Sequence, residues 1–187
     1  MKENEANTSK KSKKKDNIVL DASAIYNGVL THNIPGIKYI PDCVLDEVRG
    51  MLKGEAIIEE ALLYKELKVL APDNKSLLDI KQKASETGDL QELSECDLSV
   101  LAIAKKLQMQ CTFVIILSDD YDIQNLANYI GIPCKGIHWK GITSLHKYHW
   151  QCPGCGAKSK EKTKNCIECG TEMVRKTQKK KMKRKRG

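Results

Sequence analysis

Aromatic residues are scarce: one Phe, two Trp and six Tyr in 187 residues. A core built from this chain is therefore aliphatic. Long apolar runs are missing too. None approaches the roughly 20 residues that a membrane-crossing helix needs, which argues against a helical anchor and predicts no membrane partner. The segment Met1–Lys15 is polar throughout and lacks the apolar centre of a secretory signal. A cytoplasmic protein is the expectation.

What is present is 41% hydrophobic and 30% charged residues, enough for one ordinary domain and a small addition. The net charge of +8 is unevenly placed. Residues 1–15 carry six Lys against two acids, and residues 150–187 carry thirteen Lys and Arg against three. Residues 16–149 hold nineteen acids against thirteen bases. An acidic middle between basic ends suits a metal-dependent acidic site whose polyanionic substrate is held by the ends.

The stretch 114–122, Val-Ile-Ile-Leu-Ser-Asp-Asp-Tyr-Asp, is the most informative. Its apolar half reads as a strand buried on both faces, over 112–117. Apolar residues at Ile123, Leu126, Ala127 and Ile130 then predict a helix. Ser118, Asp119, Asp120 and Asp122 thus fall where a strand ends and a helix begins, the edge at which open α/β sheets build sites. One helix cap accounts for one such residue, not for three acids.

The remaining chain repeats the pattern. Asn17–Leu20 reads as a strand ending in Asp21, with a short helix opening at Ala22. Tyr39–Pro41 is extended, with Pro41 in the first turn of a helix that carries Val44, Leu45 and Val48 on one face and Glu47 beside it. Residues 55–68 read as a second amphipathic helix, 69–72 as a strand, 75–87 as a charged helix ending near Gly88, and 132–137 as a last strand. Ser94 and Asp97 form an approximate capping box at the start of the best helix in the chain. Alternating strands and helices predict an α/β fold with a covered parallel sheet. Residues 1–15 show no periodicity and read as a disordered basic tail.

Asp21, Glu47, Asp97 and the Asp119/Asp120/Asp122 group each admit a plain reading as a cap or a solvated residue. Together, Val19-Leu20-Asp21-Ala22-Ser23, Leu93-Ser94-Glu95-Cys96-Asp97-Leu98 and Leu117-Ser118-Asp119-Asp120-Tyr121-Asp122 resemble the motifs of PIN-domain nucleases over roughly residues 16–145, within an expected nuclease domain of residues 16–148. The resemblance implies a carboxylate cluster of Asp21, Glu47, Asp97 and Asp120. Asp119 and Asp122 are neighbouring candidates for the fourth acid, and Asp46 adjoins Glu47. Such a cluster takes Mg²⁺ or Mn²⁺, hard cations that prefer oxygen. The implied reaction is hydrolysis of single-stranded RNA to a 3′-hydroxyl and a 5′-phosphate, with Ser118 orienting an acid or a water.

Four of the eight Cys form two C-x-x-C pairs, Cys152/Cys155 and Cys166/Cys169, each followed by a Gly. Four thiolates so spaced suit a closed tetrahedral Zn²⁺ site in a small C-terminal zinc ribbon, residues 149–175. A module this small draws its folding energy from the metal. Trp150 and Lys158, Lys160, Lys162 and Lys164 are candidate RNA contacts, although Trp150 also reads as ribbon packing. Residues 176–187 are nearly all basic and read as a disordered arm for RNA phosphates. Cys43, Cys96, Cys111 and Cys134 sit among apolar neighbours and read as buried thiols.

A PIN-like domain followed directly by a four-Cys ribbon, with Ser-Asp-Asp-Tyr-Asp-Ile-Gln-Asn-Leu-Ala at 118–127, is similar to the Nob family, the endonucleases that make the final 3′-end cut of small-subunit ribosomal RNA. The length suits an archaeal member. The resemblance implies an rRNA precursor as substrate and the small-subunit precursor particle as partner. A PIN-type toxin ribonuclease and a non-catalytic RNA-binding module are the alternatives. The ribbon argues against the toxin.

Overall fold

A computed structural model describes residues 16–50, 55–110, 113–137 and 144–181. The expected tail 1–15, residues 182–187 of the expected basic arm, and Cys111 lie outside them.

Strands β1 (Asn17–Leu20), β2 (Ile37–Ile40), β3 (Leu67–Val69), β4 (Val114–Leu117) and β5 (Cys134–Lys135) form one parallel sheet in the order β3-β2-β1-β4-β5. The chain leaves β1 toward β2 and β3, then crosses back to place β4 on the other side of β1. Leu20 pairs with Leu117, so the residues that follow β1 and β4 emerge side by side. The strand order reverses there, which opens a crevice at the carboxyl edge.

Helices α1 (Ala22–Tyr26), α2 (Asp42–Arg49), α3 (Glu55–Leu63), α4 (Asn74–Thr87), α5 (Glu95–Met109) and α6 (Tyr121–Tyr129) connect the strands. Helix α5 packs on β1 and β4, and α4 and α6 pack on α5. The core is aliphatic, with Leu20, Ile40, Ile80, Leu101, Ile116, Ile123 and Leu126 fully enclosed. Each such side chain contributes about 1.5–3 kcal/mol on burial. Among the described residues no helix is long and apolar enough to cross a membrane.

Several boundaries differ from expectation. Helix α3 stops at Leu63, not 68, because Lys65 turns into the left-handed region (φ 57°) and Leu67 joins β3 opposite Lys38. Sheet pairing here overrides helical spacing, and β3 begins two residues before the expected 69–72. Pro41 precedes α2 as its N-cap instead of lying in its first turn. Strand β4 alternates, with Val114 and Ile116 buried and Ile115 and Leu117 only partly so. The two-face burial expected of it belongs to the central strand β1, buried at all four residues.

Cys43 and Cys96 correct the reading of separate buried thiols. They form a disulfide that joins the first turns of α2 and α5. With a sequence separation of 53, no spacing rule reveals the pairing. Cys134 is free and half-buried.

A second sheet follows, from β6 (Ser144–Gln151), β7 (Lys158–Ser159) and β8 (Val174–Lys181), antiparallel in the order β7-β6-β8. Strand β8 corrects the basic arm: residues 176–181 are an ordered strand, paired with β6 from Gln151↔Val174 to Ser144↔Lys181. Strand β6 also starts five residues ahead of the boundary expected at 149.

Candidate active site

Asp21 leaves β1 and caps α1, its Oδ1 accepting from the Ala22 N–H at 2.7 Å. Its Oδ2 accepts from two hydroxyls, Ser23 at 2.8 Å and Ser118 at 2.9 Å. Ser118 Oγ in turn accepts from the Asp120 N–H (3.0 Å), and Ser23 Oγ from the Asp119 N–H (3.1 Å). The two serines therefore lock Asp21 to the loop after β4. Ser118 orients an acid, as one reading of the motif expected. Asp21 is 8% exposed and Ser118 fully buried, which leaves little freedom in this register.

The three acids of the β4–α6 loop have different tasks. Asp119 accepts from Asn27 Nδ2 (2.9 Å) and the Ile137 N–H (2.7 Å), one bond on each carboxylate oxygen. It ties the end of α1 to the segment after β5. Asp122 lies in the first turn of α6, with Arg175 Nη2 3.6 Å from its Oδ1. Asp120 caps α6 through Oδ1, which accepts from the Asp122 and Ile123 N–H groups, and it is exposed. Of the three, Asp120 is the one best placed to turn an oxygen toward a ligand.

Asp97 arrives from α5. Ser94 caps this helix in a full capping box, its N–H and Oγ both donating to Asp97 Oδ2 at 2.8 and 2.7 Å. The cap that satisfies the helix start thus also fixes the candidate acid. Burial pushes the Asp97 carboxyl above its ordinary value, the Ser94 hydrogen bonds oppose this, and the charges of Asp120 and Asp21 add to it. The three carboxylates lie within electrostatic reach of one another, and a dication would relieve their repulsion.

Glu47 is an exposed residue of α2, and Tyr26 O–H donates to its Oε1 at 2.8 Å. Burial, this hydrogen bond, and the charges of Glu47 and Asp21 together push the Tyr26 phenol up to about 12. The bond is to Glu47 rather than to the exposed Asp46. Ser23, Tyr26 and Asn27 were not singled out from sequence, although Ser23 stands inside the Asp21 motif.

The ribbon presents a separate donor set. The Sγ atoms of Cys152, Cys155, Cys166 and Cys169 all lie within 4.8 Å of one another, and among the described residues no carboxylate group converges so closely. Each pair closes a matching knuckle. The Gly156 N–H donates to the Cys152 carbonyl (3.0 Å) and the Gly170 N–H to the Cys166 carbonyl (2.9 Å), both glycines at positive φ. Hydrogen bonding to Thr171 is the main cause that draws the Cys169 thiol down to about 6, toward the thiolate that a metal requires. Four convergent thiols of this kind fit Zn²⁺.

The candidate RNA contacts separate. Trp150 packs against Cys152, Cys166 and Met173, and Lys162 lies over its ring (5.6 Å) and 3.6 Å from Glu92. Lys158, Lys160 and Lys164 are exposed. Lys158 and Lys160, with Lys147 and Lys176, line a groove of about 750 Å³ between α4 and the second sheet. The buried His149 Nε2, without a hydrogen-bond partner, borders it.

Residues 18–107 match the family described as PIN domain of ribonuclease. The chain is 34% identical to endoribonuclease Nob1 of Pyrococcus abyssi over 82% of its own length and 89% of the relative's. It is 32% identical to endoribonuclease Nob1 of Methanothermobacter thermautotrophicus, over 84% and 91% of the two chains. Ribonuclease VapC1 of Thermoplasma acidophilum is 33% identical, over 84% and 76%.

Proposed function

Because the chain belongs to the Nob1 family of PIN-domain endoribonucleases and is a metal-dependent endoribonuclease, we propose that it makes the final 3′-end cleavage of small-subunit rRNA precursor. What supports the site assignment is that Asp21 follows β1 and Asp120 follows β4 at the point where the strand order reverses, and that both lie near enough to Asp97 for their charges to raise its carboxyl. Asp21, Asp97 and Asp120, with Glu47 at the margin, would hold Mn²⁺ or Mg²⁺, which when bound would supply water activation and charge stabilisation at the leaving oxygen of the phosphodiester. Ser23 and Ser118 hold Asp21, and Ser94 holds Asp97, so the acids are oriented before metal and substrate arrive. Tyr26 holds Glu47 at the crevice mouth. Asp119 serves the loop rather than the ligand set.

In this reading residues 16–148 are the nuclease domain and residues 149–175 the ribbon, with Zn²⁺ on its four cysteines. Lys158, Lys160 and the basic strand β8 hold the phosphates of single-stranded rRNA, and the small-subunit precursor in the cytoplasm is the partner. The similarity to ribonuclease VapC1 supports a second reading, a toxin-type ribonuclease acting on other RNA.

The test uses the full chain, Mn²⁺ or Mg²⁺, and an RNA spanning the 3′ end of its own small-subunit rRNA precursor. A single cut at the mature end is expected. Asp21→Asn and Asp97→Asn each lose more than the roughly 10–100-fold that removing a ligand's hydrogen-bond partner costs. Scattered or tRNA-directed cutting would favour the toxin. Full activity in both variants would remove these acids from the site.

A further inference from the structure

We propose that Arg175 is a positioning residue of the nuclease centre: from the ribbon it ties together the two helix starts that carry Asp97 and Asp120, and so sets the spacing of the metal-binding carboxylates. The inference rests on the reading of those acids as the metal site.

Arg175 lies on β8, one strand away from Tyr148, and its guanidinium stacks 3.7 Å above the Tyr148 ring. Its Nη2 is 3.2 Å from Asp89 Oδ1 and 3.6 Å from Asp122 Oδ1, and Nη1 is 4.0 Å from Glu92 Oε2. These acids come from two places. Asp89 and Glu92 belong to the turn between α4 and α5, and Asp122 to the first turn of α6.

Each contact leads to a catalytic acid in one or two steps. The Asp89 carbonyl accepts from the Glu92 and Leu93 N–H groups, and the next residue, Ser94, is the cap that binds Asp97. On the other side, the Asp122 N–H donates to Asp120 Oδ1. Asn125 of α6 closes the span by donating to Asp89 Oδ2 at 2.8 Å. Asp89 is 0% exposed, and a buried charge requires a fixed partner. The planar fork of Arg meets several acids at once, which a Lys ammonium does not do with the same geometry.

The bridge depends on the ribbon. Arg175 follows the buried Met173, which packs with Cys152 and Cys166, by two residues. Gly88, the left-handed cap of α4 (φ 81°), lets the Tyr148 carbonyl approach so closely that any Cβ there would collide with it. The ribbon sheet is thereby seated on the turn that leads into α5.

The experiment is a Mn²⁺ titration of the zinc-loaded full chain, followed by the electron paramagnetic resonance of free Mn²⁺, with zinc content and circular dichroism as controls. The variants are Arg175→Ala, Arg175→Lys, Asp89→Asn, and the pair Asp89→Asn/Arg175→Ala, which leaves no unpaired buried carboxylate. The double variant is expected to bind Mn²⁺ about 10–100-fold more weakly with zinc retained. Arg175→Lys and Asp89→Asn should each fall between it and the wild type. Should the Ala variants lose zinc, the Lys variant decides: weaker Mn²⁺ binding supports the bridge, and wild-type affinity overturns it. Wild-type affinity in a zinc-retaining double variant also overturns it and makes Arg175 a docking contact alone. If Asp97→Asn binds Mn²⁺ as tightly as the wild type, the metal-site reading itself fails, and the bridge with it.

Discussion

The nuclease body encloses Leu20, Ile40, Leu101, Ile116 and more than twenty other apolar side chains around a five-stranded parallel sheet. The ribbon encloses Cys152, Cys166 and Met173, with Trp150 and Ala157 partly covered. Both are sheet-based, and the amounts of apolar surface they remove from water differ greatly. The body stands on its core. The ribbon has two of its three buried residues committed as candidate metal ligands, so apolar burial contributes little to its cohesion. Polar residues in the body are placed by helix caps, as with Ser94 and Asp97. In the ribbon they are placed by knuckle turns around sulfur.

The largest expected effect sharpens that contrast. Structural zinc in small modules contributes on the order of 10–16 kcal/mol at neutral pH. Chelation, or Cys166→Ser, is therefore expected to unfold the ribbon while the body keeps a cooperative thermal transition. A single transition lost as a whole would show that the two regions fold as one. Next comes the disulfide, which lies wholly in the body. Closing a loop of 53 residues restricts the unfolded chain by about 4 kcal/mol on the loop-entropy estimate. Cys43→Ser is expected to lower body stability by up to that amount in urea unfolding under oxidising conditions, and to leave zinc content unchanged. Equal stability with and without reductant would count against the bond.

The smallest effect probes the seam between the regions. Burial, more than any other influence, raises the Asp89 carboxyl to about 6. Thr87 and Asn125 hydrogen bonds and Arg175 pull it down, while Asp122 pushes it up. Its folded value exceeds its unfolded value near 3.8, so the native state binds more protons between them. The stability contribution is full below pH 4 and is lost as pH rises through 6, by about 3 kcal/mol at most. In Asp89→Asn this share of the pH dependence should vanish from unfolding curves taken at pH 4 to 7. A slope identical to the wild type would assign the dependence to other groups.

Much of this was legible in the chain. The run into Asp21, the Ser94–Asp97 capping box and the Cys-x-x-Cys pairs are local signals, and local physics decides them. Helix α3 and strand β3 misled because Leu67 obeys its partner strand and not its neighbours. Strand β8 hid inside a run of lysines, a residue type that says nothing of the ladder their backbones form with β6. The Cys43–Cys96 bond and the Arg175 contacts join residues far apart in the chain. Such pairings are consequences of the fold and leave no periodic trace. The separate tasks of Asp119, Asp120 and Asp122 were likewise hidden, since each depends on a partner outside the motif or on the way α6 begins.

Asp21 and Ser118, joined by one hydrogen bond, are separated by 97 positions. A ribosome that synthesises roughly 5–20 residues per second delivers the second of them about 5–20 seconds after the first. Strand β1 leaves the tunnel with no β4 to lie against, and Asp21 with no Ser118 to hold it. Until Ser118 has been made the Asp21 lock cannot form, and the contacts of Arg175 with Asp89 follow later still. The order in which the strands are synthesised thus delays the Asp21 lock until β4 has been made.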